Sequence, residues 1–580
     1  MKEFFKMFGA VLAGLCVWGI ITSLFSFVFF IMILSSLSSD SKETEVKIYD
    51  NSVLKLDLSK PIGERSTTNY SKIYDTWSFD NLDVMGLDDI QSSLDAAAGD
   101  DKVTALYVNL SDVALPDFAS AEAVRKMILN FRNTEKPVYA FADSYDNLSY
   151  YVATACEKIF MRKCGDFVLK GLCSENIYYK AALDKFGISA QVIRHGKFKS
   201  AVEPYMQEKM SDANRLQIQT YLNDIWGVIV DEISKARNIS KDKIGKYADD
   251  LSLYSNDELC LSSGLLDGII FENDFDKMIQ EAAGQDTDSD FKPLSISDYC
   301  SLLDTPSTAK NIAVIYANGE ITSEESTSED VITSKSMVKA IDEAMNDNDI
   351  KAVVLRVNSP GGSAVEAEII HNELKKLHEK KPIVVSMGGY AASGGYYIAC
   401  PADLIFAEQT TITGSIGVFG LMLSPEKLLK NTLALNVETV STNKHSGFGS
   451  GMRTLDSREV EVLQKSVEDI YSLFIGHVAE GRKMTVAQVD SIGQGRVWTG
   501  ISAQKIGLVD EIGGLWDAVA AAAELADIET YNIKELPEKK DEFSKLFSGL
   551  LEARSPEIKI LNSIKRHNGV QCYLPPAKIY

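Results

Sequence analysis

The sequence predicts an α/β protein made of two tandem domains related by internal duplication and preceded by a transmembrane helix. Three observations predict this organisation. They are a run without charged residues near the N-terminus, a set of short matches between the two halves, and an alternation of short β-branched runs with longer amphipathic runs. Strands that alternate with helices of this length indicate crossover connections and a buried, mostly parallel sheet in each half.

The N-terminal run from residue 8 to residue 37 contains no charged residue. About 20 apolar residues span a bilayer, whereas the apolar region of a cleaved signal peptide is only about 7–15 residues long. A cleaved signal and a soluble core helix are the alternatives. Lys2 and Lys6 precede the run. Because positive charge favours the cytoplasmic side, we expect a single-pass anchor in the inner (cytoplasmic) membrane, with the body of the chain on the extracytoplasmic side.

The two halves match at an offset of about 243–249 residues. Matches that occur in the same order in both halves indicate a duplication. The matching pairs of segments are 102–109 with 351–358, 136–140 with 381–385, 150–153 with 396–399, and 264–269 with 507–512.

The second half gives the clearest secondary-structure pattern. Strands are predicted at 312–316, 352–357 and 383–386, and helices at 364–379 and 457–480. The polar segment 284–310 has loop composition and is predicted to be a linker. The predicted organisation is a cytoplasmic stub and anchor (1–40), a first domain (41–283), a linker (284–310), a second domain (311–535) and a tail (536–580) that includes an amphipathic helix at 541–566.

Charge and cysteine content exclude several functions. The net charge is −23, and a surface this acidic repels phosphate backbones, so no nucleic-acid partner is expected. Of eight cysteines, Cys16 lies in the anchor run, and no Cys-x-x-Cys occurs. This pattern favours buried free thiols over a disulfide framework or a zinc site. We expect no cofactor and no metal.

The two halves differ where corresponding strands end. The second half has Ser359-Pro-Gly-Gly-Ser363 where the first has no glycine, and it has Ser393 where the first has Asn147. Ser393 precedes a predicted helix, whose free N–H groups and positive dipole end stabilise a developing negative charge. We predict Ser393 as a nucleophile and the N–H groups of Gly362 and Gly394 as an oxyanion hole. A tight turn and a helix N-cap are the structural alternatives.

A serine nucleophile needs a base, and no histidine stands at a motif position. The six histidines are His195, His371, His378, His445, His477 and His567. We expect His371 and His378 on the solvated surface of the predicted helix 364–379. A lysine is therefore predicted as the base, and it must be neutral; burial can lower the pKa of a lysine by about 3–5. Lys197 and Lys199 would share one face of an extended segment, and Lys444 is a rival, so spacing leaves all three open.

Four segments of the sequence resemble the long, duplicated members of the S49 family of serine–lysine peptidases, the signal peptide peptidases. They are 199–204 (Lys-Ser-Ala-Val-Glu-Pro), 358–363 (Asn-Ser-Pro-Gly-Gly-Ser), 391–396 (Ala-Ala-Ser-Gly-Gly-Tyr) and 412–417 (Ile-Thr-Gly-Ser-Ile-Gly). The resemblance covers essentially the whole chain. It implies that Ser393 is the nucleophile, Lys199 the general base, and Ser415 a residue that orients the lysine ammonium. It also implies that the first domain supplies the lysine and the second the serine.

The resemblance carries further expectations. It implies two Clp-protease/crotonase-like domains, a homotetramer with inward-facing active sites, a periplasmic location and contact with membrane lipid through the N-terminal helix. The implied substrates are apolar peptides, notably cleaved signal peptides. Three alternatives are a membrane serine protease that acts on lipoprotein or membrane-protein fragments, a crotonase-like acyl-CoA enzyme that uses the glycine turn without a nucleophile, and a membrane scaffold without activity.

Overall fold

The computed structural model describes residues 18–19, 21–25, 47–68, 83–303, 310–323, 331–538 and 569–573. The chain divides into two units, residues 1–49 and residues 50–580. In the first unit, residues 18–19 and 21–25 are helical and exposed. Among the described residues, no helix combines the length and apolar character needed to cross a bilayer. Most of the predicted anchor run and the predicted tail helix 541–566 lie outside the described residues.

The second unit alternates strands and helices along most of its length. Between residues 50 and 303 the strands are β1 (Ser52–Asp57), β2 (Ile62–Gly63), β3 (Thr67–Thr68), β4 (Asp83–Gly86), β5 (Val103–Asn109), β6 (Val138–Ala142), β7 (Lys158–Arg162), β8 (Ser189–Arg194), β9 (Gly268–Ile270) and β10 (Leu294–Ser295). The helices of this part are α1 (Leu87–Gly99), α2 (Phe118–Arg132), α3 (Asn147–Ala153), α4 (Lys180–Phe186), α5 (Glu203–Met206), α6 (Asp212–Arg237), α7 (Lys241–Asp249), α8 (Asp257–Ser262), α9 (Glu272–Ala283) and α10 (Ile296–Cys300).

From residue 310 onward the same alternation continues. The strands are β11 (Lys310–Asn318), β12 (Glu320–Ile321), β13 (Val331–Ile332), β14 (Ile350–Ser359), β15 (Gly361–Ser363), β16 (Ile383–Ala392), β17 (Leu404–Ala407), β18 (Ile412–Gly414), β19 (Phe419–Ser424), β20 (Val497–Thr499), β21 (Glu511–Ile512), β22 (Tyr531–Leu536) and β23 (Gly569–Tyr573). The helices are α11 (Ser334–Asn346), α12 (Ala364–His378), α13 (Gly394–Ala399), α14 (Ser457–Gly481), α15 (Val486–Ile492), α16 (Gly500–Lys505) and α17 (Leu515–Leu525).

Two sheets share one strand order. The first is β10-β1-β5-β6-β7-β9, with every pair parallel. The second contains β22-β11-β14-β16-β17-β21, also with every pair parallel, and β18 and β20 extend it beside β16. Because corresponding strands occupy corresponding places, the duplication predicted from the sequence is confirmed. Within the segment predicted as a linker, β10 forms the edge of the first sheet, as β22 does in the second.

The duplication extends to individual hydrogen bonds. In the first half, the Tyr150 hydroxyl on α3 donates to the carbonyl of Leu265 at 2.7 Å. In the second half, the Tyr396 hydroxyl on α13 donates to the carbonyl of Leu508 at 2.8 Å. Both tyrosines are fully buried, where an unpaired hydroxyl would be costly. In both halves, therefore, a buried tyrosine hydroxyl is paired with the equivalent leucine carbonyl.

Helices cover both faces of the second sheet. Along β14, Val353 and Leu355 face one way and pack in a cluster with residues of α11 and α12. Ala352 and Val354 face the other way and pack in a cluster with residues of α17. Alternate side chains of a strand point to opposite faces, so a strand that is apolar at every position is buried on both sides. The carboxyl ends of β14 and β16 are thus fixed by a three-layer core.

A third sheet joins the two halves, in the order β13-β12-β15-β23-β19-β8. Strand β8 belongs to the first half and pairs antiparallel with β19 of the second, with Arg194 opposite Phe419. Strand β23, near the C-terminus, lies between β15 and β19 and is antiparallel to both. The first half is therefore held against the second by backbone pairing close to the end of β8.

A buried ion pair also links the halves. The Arg356 guanidinium on β14 donates from Nε to Glu64 Oε2 at 2.8 Å, and from Nη1 to Ser386 Oγ at 2.8 Å and the Met387 carbonyl at 3.0 Å. Side-chain exposure of Arg356 and Glu64 is 4% and 6%. Removing one partner of such a pair leaves the other charge buried without compensation.

Glu64→Ala should therefore lower the free energy of unfolding by about 3–5 kcal/mol. Chemical denaturation of the purified variant measures the change. Glu461→Ala is the matched control, because its ion pair with Arg458 is exposed on α14 and such pairs contribute little, so we expect a change within about 0.5 kcal/mol. Equal effects of the two substitutions would show that the buried pair does not hold the halves together.

One expectation about the surface is wrong. His371 was expected on the solvated face of helix 364–379, but it is 2% exposed and lies against the Tyr397 ring at a centroid distance of 5.5 Å. His378, on the same helix, has the exposed position expected for it and pairs with Asp403. The reason is its place in the helical repeat: His371 falls on the same face as the buried Ala367 and Leu374, which faces the core.

Candidate active site

Ser393 stands at a sharp turn between a strand and a helix. Strand β16 ends at Ala392, α13 begins at Gly394, and Ser393 between them has φ 57° and ψ −115°. This conformation is strained for a residue with a side chain and persists only where surrounding structure imposes it. The Ser393 N–H donates to the Gly414 carbonyl at 2.8 Å, which fixes the turn. A strand–serine–helix turn of this kind is the geometry of a nucleophile elbow.

Glycines near Ser393 meet steric demands that no other residue would satisfy. Gly362 has φ 155°, and a Cβ there would lie 1.9 Å from the Ile321 carbonyl oxygen. A Cβ on Gly395 would lie 2.7 Å from the Ser359 carbonyl oxygen. These contacts let α13 approach the end of β14 closely. Gly362 lies in β15, and Gly394 is the first residue of α13. The role of their N–H groups as an oxyanion hole stays a prediction.

Lys199 reaches this turn from the first half of the chain. After β8 the backbone continues along the second half: the His195 N–H donates to the Val418 carbonyl and the Phe198 N–H to the Gln494 carbonyl, each at 3.0 Å. Lys199 follows directly and begins the short turn Ser200–Val202. Its side chain is buried, with the residue 1% exposed. Removing an amine from water disfavours the ammonium form.

The lysine amine meets two serines. Lys199 Nζ lies 2.7 Å from Ser393 Oγ, 3.1 Å from Ser415 Oγ and 3.1 Å from the Ser415 carbonyl oxygen. Ser415 has φ 49° and is held by a hydrogen bond from its N–H to the Arg496 carbonyl at 2.7 Å. The structure therefore brings together Ser393, Lys199 and Ser415.

The other candidate bases are elsewhere. Lys197 and Lys444 are exposed, and neither makes a hydrogen bond to Ser393. Each of the five described histidines has other neighbours; His195, for example, stacks on Tyr471 at 3.7 Å. None of these five hydrogen-bonds to Ser393. Among the described residues, Lys199 is thus the amine or imidazole placed to accept the serine proton.

Gln217 is a positioning residue that sequence reasoning missed. From α6, its Nε2 donates to the Phe198 carbonyl at 3.1 Å and to Ser200 Oγ at 2.8 Å, and its Oε1 accepts from the Val497 N–H at 3.2 Å. The side chain thereby ties the residues on both sides of Lys199 to the second half. A glutamine within a long helix gives no signal that would have indicated this.

Gly495 is a second feature that was missed. It has φ 77°, and a Cβ there would lie 2.6 Å from Lys199 Cβ. A Cβ on Gly417 would lie 3.3 Å from Lys199 Cδ. The two glycines make room for the lysine side chain, and the sequence Gly493-Gln-Gly495 was the signal that could have pointed to a close approach.

Gly495→Ala should lower kcat/KM by about 10²-fold, because displacing a reacting group by about 1 Å can cost that much. Steady-state peptide cleavage measures the change. Gly264→Ala is the control, since Gly264 has a nearly equal φ of 79° with nothing within 4 Å of its Cβ position. If both variants lost activity to the same degree, backbone strain rather than contact with Lys199 would be the cause.

A serine elbow on a parallel α/β sheet, with a buried amine against its hydroxyl, is the arrangement of a serine hydrolase. Comparison with known proteins identifies the family of serine hydrolases to which the chain belongs. Residues 130–286 and 375–529 match peptidase family S49, one match in each half. The chain belongs to peptidase family S49 and is a serine protease.

Curated relatives cover most of the chain. Protease 4 of Salmonella typhi is 35% identical over 521 residues, which is 87% of this chain and 84% of that protein. Protease 4 of Haemophilus influenzae is 34% identical and covers 76% of this chain and 73% of its own length. The chloroplastic serine protease SPPA of Arabidopsis thaliana is 30% identical, and the match covers 77% of this chain and 66% of that protein.

Among solved structures, a ClpP1 variant from Listeria monocytogenes aligns with 36% of this chain and 94% of its own, at 16% identity and a TM-score of 0.25. The observed sheets and the two family matches define the mixed α/β fold.

Proposed function

We propose that this serine protease is a membrane-anchored endopeptidase that degrades cleaved signal peptides and other apolar peptides with a Ser393–Lys199 dyad. The observation that supports it most is the 2.7 Å distance between Lys199 Nζ and Ser393 Oγ, both buried. In the first step, neutral Lys199 accepts the hydroxyl proton while Ser393 Oγ attacks the peptide carbonyl. Attack produces a tetrahedral intermediate with a negative oxygen.

The N–H groups of Gly362 and Gly394 stabilise that oxygen in this proposal. The C–N bond then breaks, Lys199 returns its proton to the leaving amine, and an acyl-enzyme forms on Ser393. Water attacks the ester, again with Lys199 as base, and releases the carboxylic acid. Ser415 keeps the ammonium aimed at Ser393, because its two oxygens accept from Nζ at 3.1 Å.

Strand β23 supports an extended binding mode for the substrate. It pairs antiparallel with β15, where Gly362 lies opposite Cys572, and antiparallel with β19, where Leu421 lies opposite Gly569. An extended peptide can add to a sheet through backbone hydrogen bonds, with pockets that select its side chains. We propose that a substrate strand pairs with β15 and β19 in the position that β23 occupies in this structure. Phe419 and Leu421 pack there with Val202 in an apolar cluster, which favours apolar side chains.

We further propose the following organisation. Residues 41–283 form the domain that supplies the lysine, and 311–535 form the catalytic domain that supplies the serine. Residues 1–40 anchor the protein in the cytoplasmic membrane, with both domains in the periplasm. The assembly is a homotetramer, as the resemblance to the family implies. The charge-free run at 8–37 supports the anchor.

The substrate proposal is tested with purified full-length protein and two peptides of equal length. One is an apolar signal-peptide segment, and the other carries lysine or aspartate at alternate positions. We expect kcat/KM to be at least about tenfold higher for the apolar peptide, since an apolar pocket discriminates by about this much or more. Equal cleavage of both would contradict the apolar substrate class, and cleavage of neither would contradict the endopeptidase.

A further inference from the structure

A cluster of potential metal ligands lies outside the proposed catalytic site. Glu368 and His371 are one turn apart on α12, and His477 projects from α14 beside them. Their ligand atoms all lie within 4.8 Å of one another. Residues three apart on a helix share a face, so the Glu-x-x-His spacing presents both side chains to the neighbouring helix. The mechanism above uses none of the three.

His371 is the most deeply buried member of the cluster. It is 2% exposed. Its ring lies 4.0 Å from that of His477. Imidazole nitrogens are common zinc ligands.

The other two members are already oriented. His477 Nε2 lies 3.1 Å from Glu368 Oε2, and the Tyr397 hydroxyl donates to the same carboxylate oxygen at 2.5 Å. The hydrogen bond from Tyr397 is of the kind that holds a metal ligand in place, whereas the contact between His477 and Glu368 would give way to the ion. Side-chain exposure is 39% for Glu368 and 15% for His477. The cluster is therefore open to solvent at the carboxylate and closed at His371, which gives an ion a way in.

We propose that Glu368, His371 and His477 bind one divalent transition-metal ion of the zinc class. Two imidazole nitrogens and one carboxylate oxygen are a normal zinc ligand set, with water in the fourth position. Metal–ligand distances of about 2.0–2.1 Å place tetrahedral ligand atoms about 3.3 Å apart. The three ligand atoms, which lie within 4.8 Å of one another, would have to move closer together to bind an ion in that geometry.

The position of the site suggests a structural effect on the catalytic region. The ion would join α12 to α14, and Tyr397 links Glu368 to α13, the helix that begins next to Ser393. The Tyr397 N–H also donates to the Ser393 carbonyl at 2.9 Å. A metal here would stabilise the helices behind the nucleophile without taking part in the chemistry.

The test uses full-length protein that has been dialysed against a chelator and then titrated with CoCl₂. We expect one Co²⁺ per chain with the visible absorption of a four- or five-coordinate site, displacement by ZnCl₂, and a higher Tm in the presence of Zn²⁺. His477→Ala removes one of two nitrogen ligands and should weaken binding by about 100-fold or more. Glu368→Gln keeps the shape of the side chain and should also weaken it.

Two control variants locate the ion. His378→Ala removes an exposed histidine from the same helix and should leave binding unchanged. His445→Ala disrupts the second possible cluster, His445, Asp456 and Glu459, whose Glu459 is already paired with Arg453, and it should also leave binding unchanged. Failure of the wild-type protein to bind Co²⁺ stoichiometrically would overturn the proposal. So would binding that survives both His477→Ala and Glu368→Gln, or that is lost in His445→Ala alone.

Discussion

Lys199→Met should lower kcat/KM for peptide cleavage by at least about 10⁴-fold, the scale seen when one member of a catalytic unit is removed. Methionine keeps an unbranched chain of similar length in the buried site but offers no basic nitrogen. Among the residues that the structure describes, Ser393 then has no base within hydrogen-bond distance, because the amine 2.7 Å from its hydroxyl belongs to Lys199. Steady-state cleavage of an apolar peptide measures the loss, and an unchanged Tm shows that folding is intact.

Lys197→Met and Lys444→Met are the matched controls, since both lysines are exposed and both should retain activity. Wild-type activity should fall as the pH is lowered, because the base works only when deprotonated and protonation of the amine removes it. If Lys199→Met kept most activity while Lys444→Met lost it, the base would come from the same half as the serine. A flat wild-type profile down to about pH 5 would exclude a lysine base.

Ser393→Ala should abolish cleavage to a similar or greater extent, about 10⁴–10⁶-fold. It removes the oxygen that forms the acyl-enzyme, and the stabilisation of the oxyanion alone leaves only a small residual rate. Labelling by a fluorophosphonate should be lost with it. In the wild-type protein, peptide mapping should place the label on Ser393.

Ser491→Ala serves as the control, because Ser491 is exposed on α15 and its loss should affect neither labelling nor cleavage. A label found on another serine, or undiminished cleavage by Ser393→Ala, would show that the strand–helix turn at Ser393 is only structural.

The helices and strands that carry these residues could be predicted where the local sequence pattern determines the secondary structure. Helix α12 was predicted at 364–379 and is Ala364–His378, and α14 was predicted at 457–480 and is Ser457–Gly481. Both are long and begin at capping residues, which are strong local signals. The serine turn was equally local, since a strand, a serine and a glycine pair follow one another directly.

Strand β16 extends further than predicted, through Gly388 and Gly389 to Ala392. Glycines usually mark the end of a strand, but here other parts of the chain require them. A Cβ on Gly389 would lie 1.9 Å from Asp117 Oδ2, and one on Gly388 would lie 2.7 Å from Glu64 Oε1. Asp117 and Glu64 belong to the first half, so only the tertiary structure explains why the strand continues.

The choice between Lys197 and Lys199 also lay beyond local pattern. An extended segment would have placed both on one face. Instead Gly196 has φ 92°, and Lys199 begins the turn Ser200–Val202, so Lys197 is exposed and Lys199 is buried. Gln217 and Gly495, which hold and accommodate Lys199, are close to it only in the folded chain. The motif resemblance, rather than spacing, singled out the lysine that the structure places beside Ser393.

The pH dependence of fluorophosphonate labelling tests most directly whether an amine from the first half activates the serine of the second. The second-order rate constant is measured for the wild-type protein and for Lys199→Met over a range of pH. We expect the wild-type rate to rise with pH through a single ionisation, and the variant to react at least about 10³-fold more slowly without that ionisation. Equal rates and the same ionisation in both proteins would show that Lys199 does not activate Ser393.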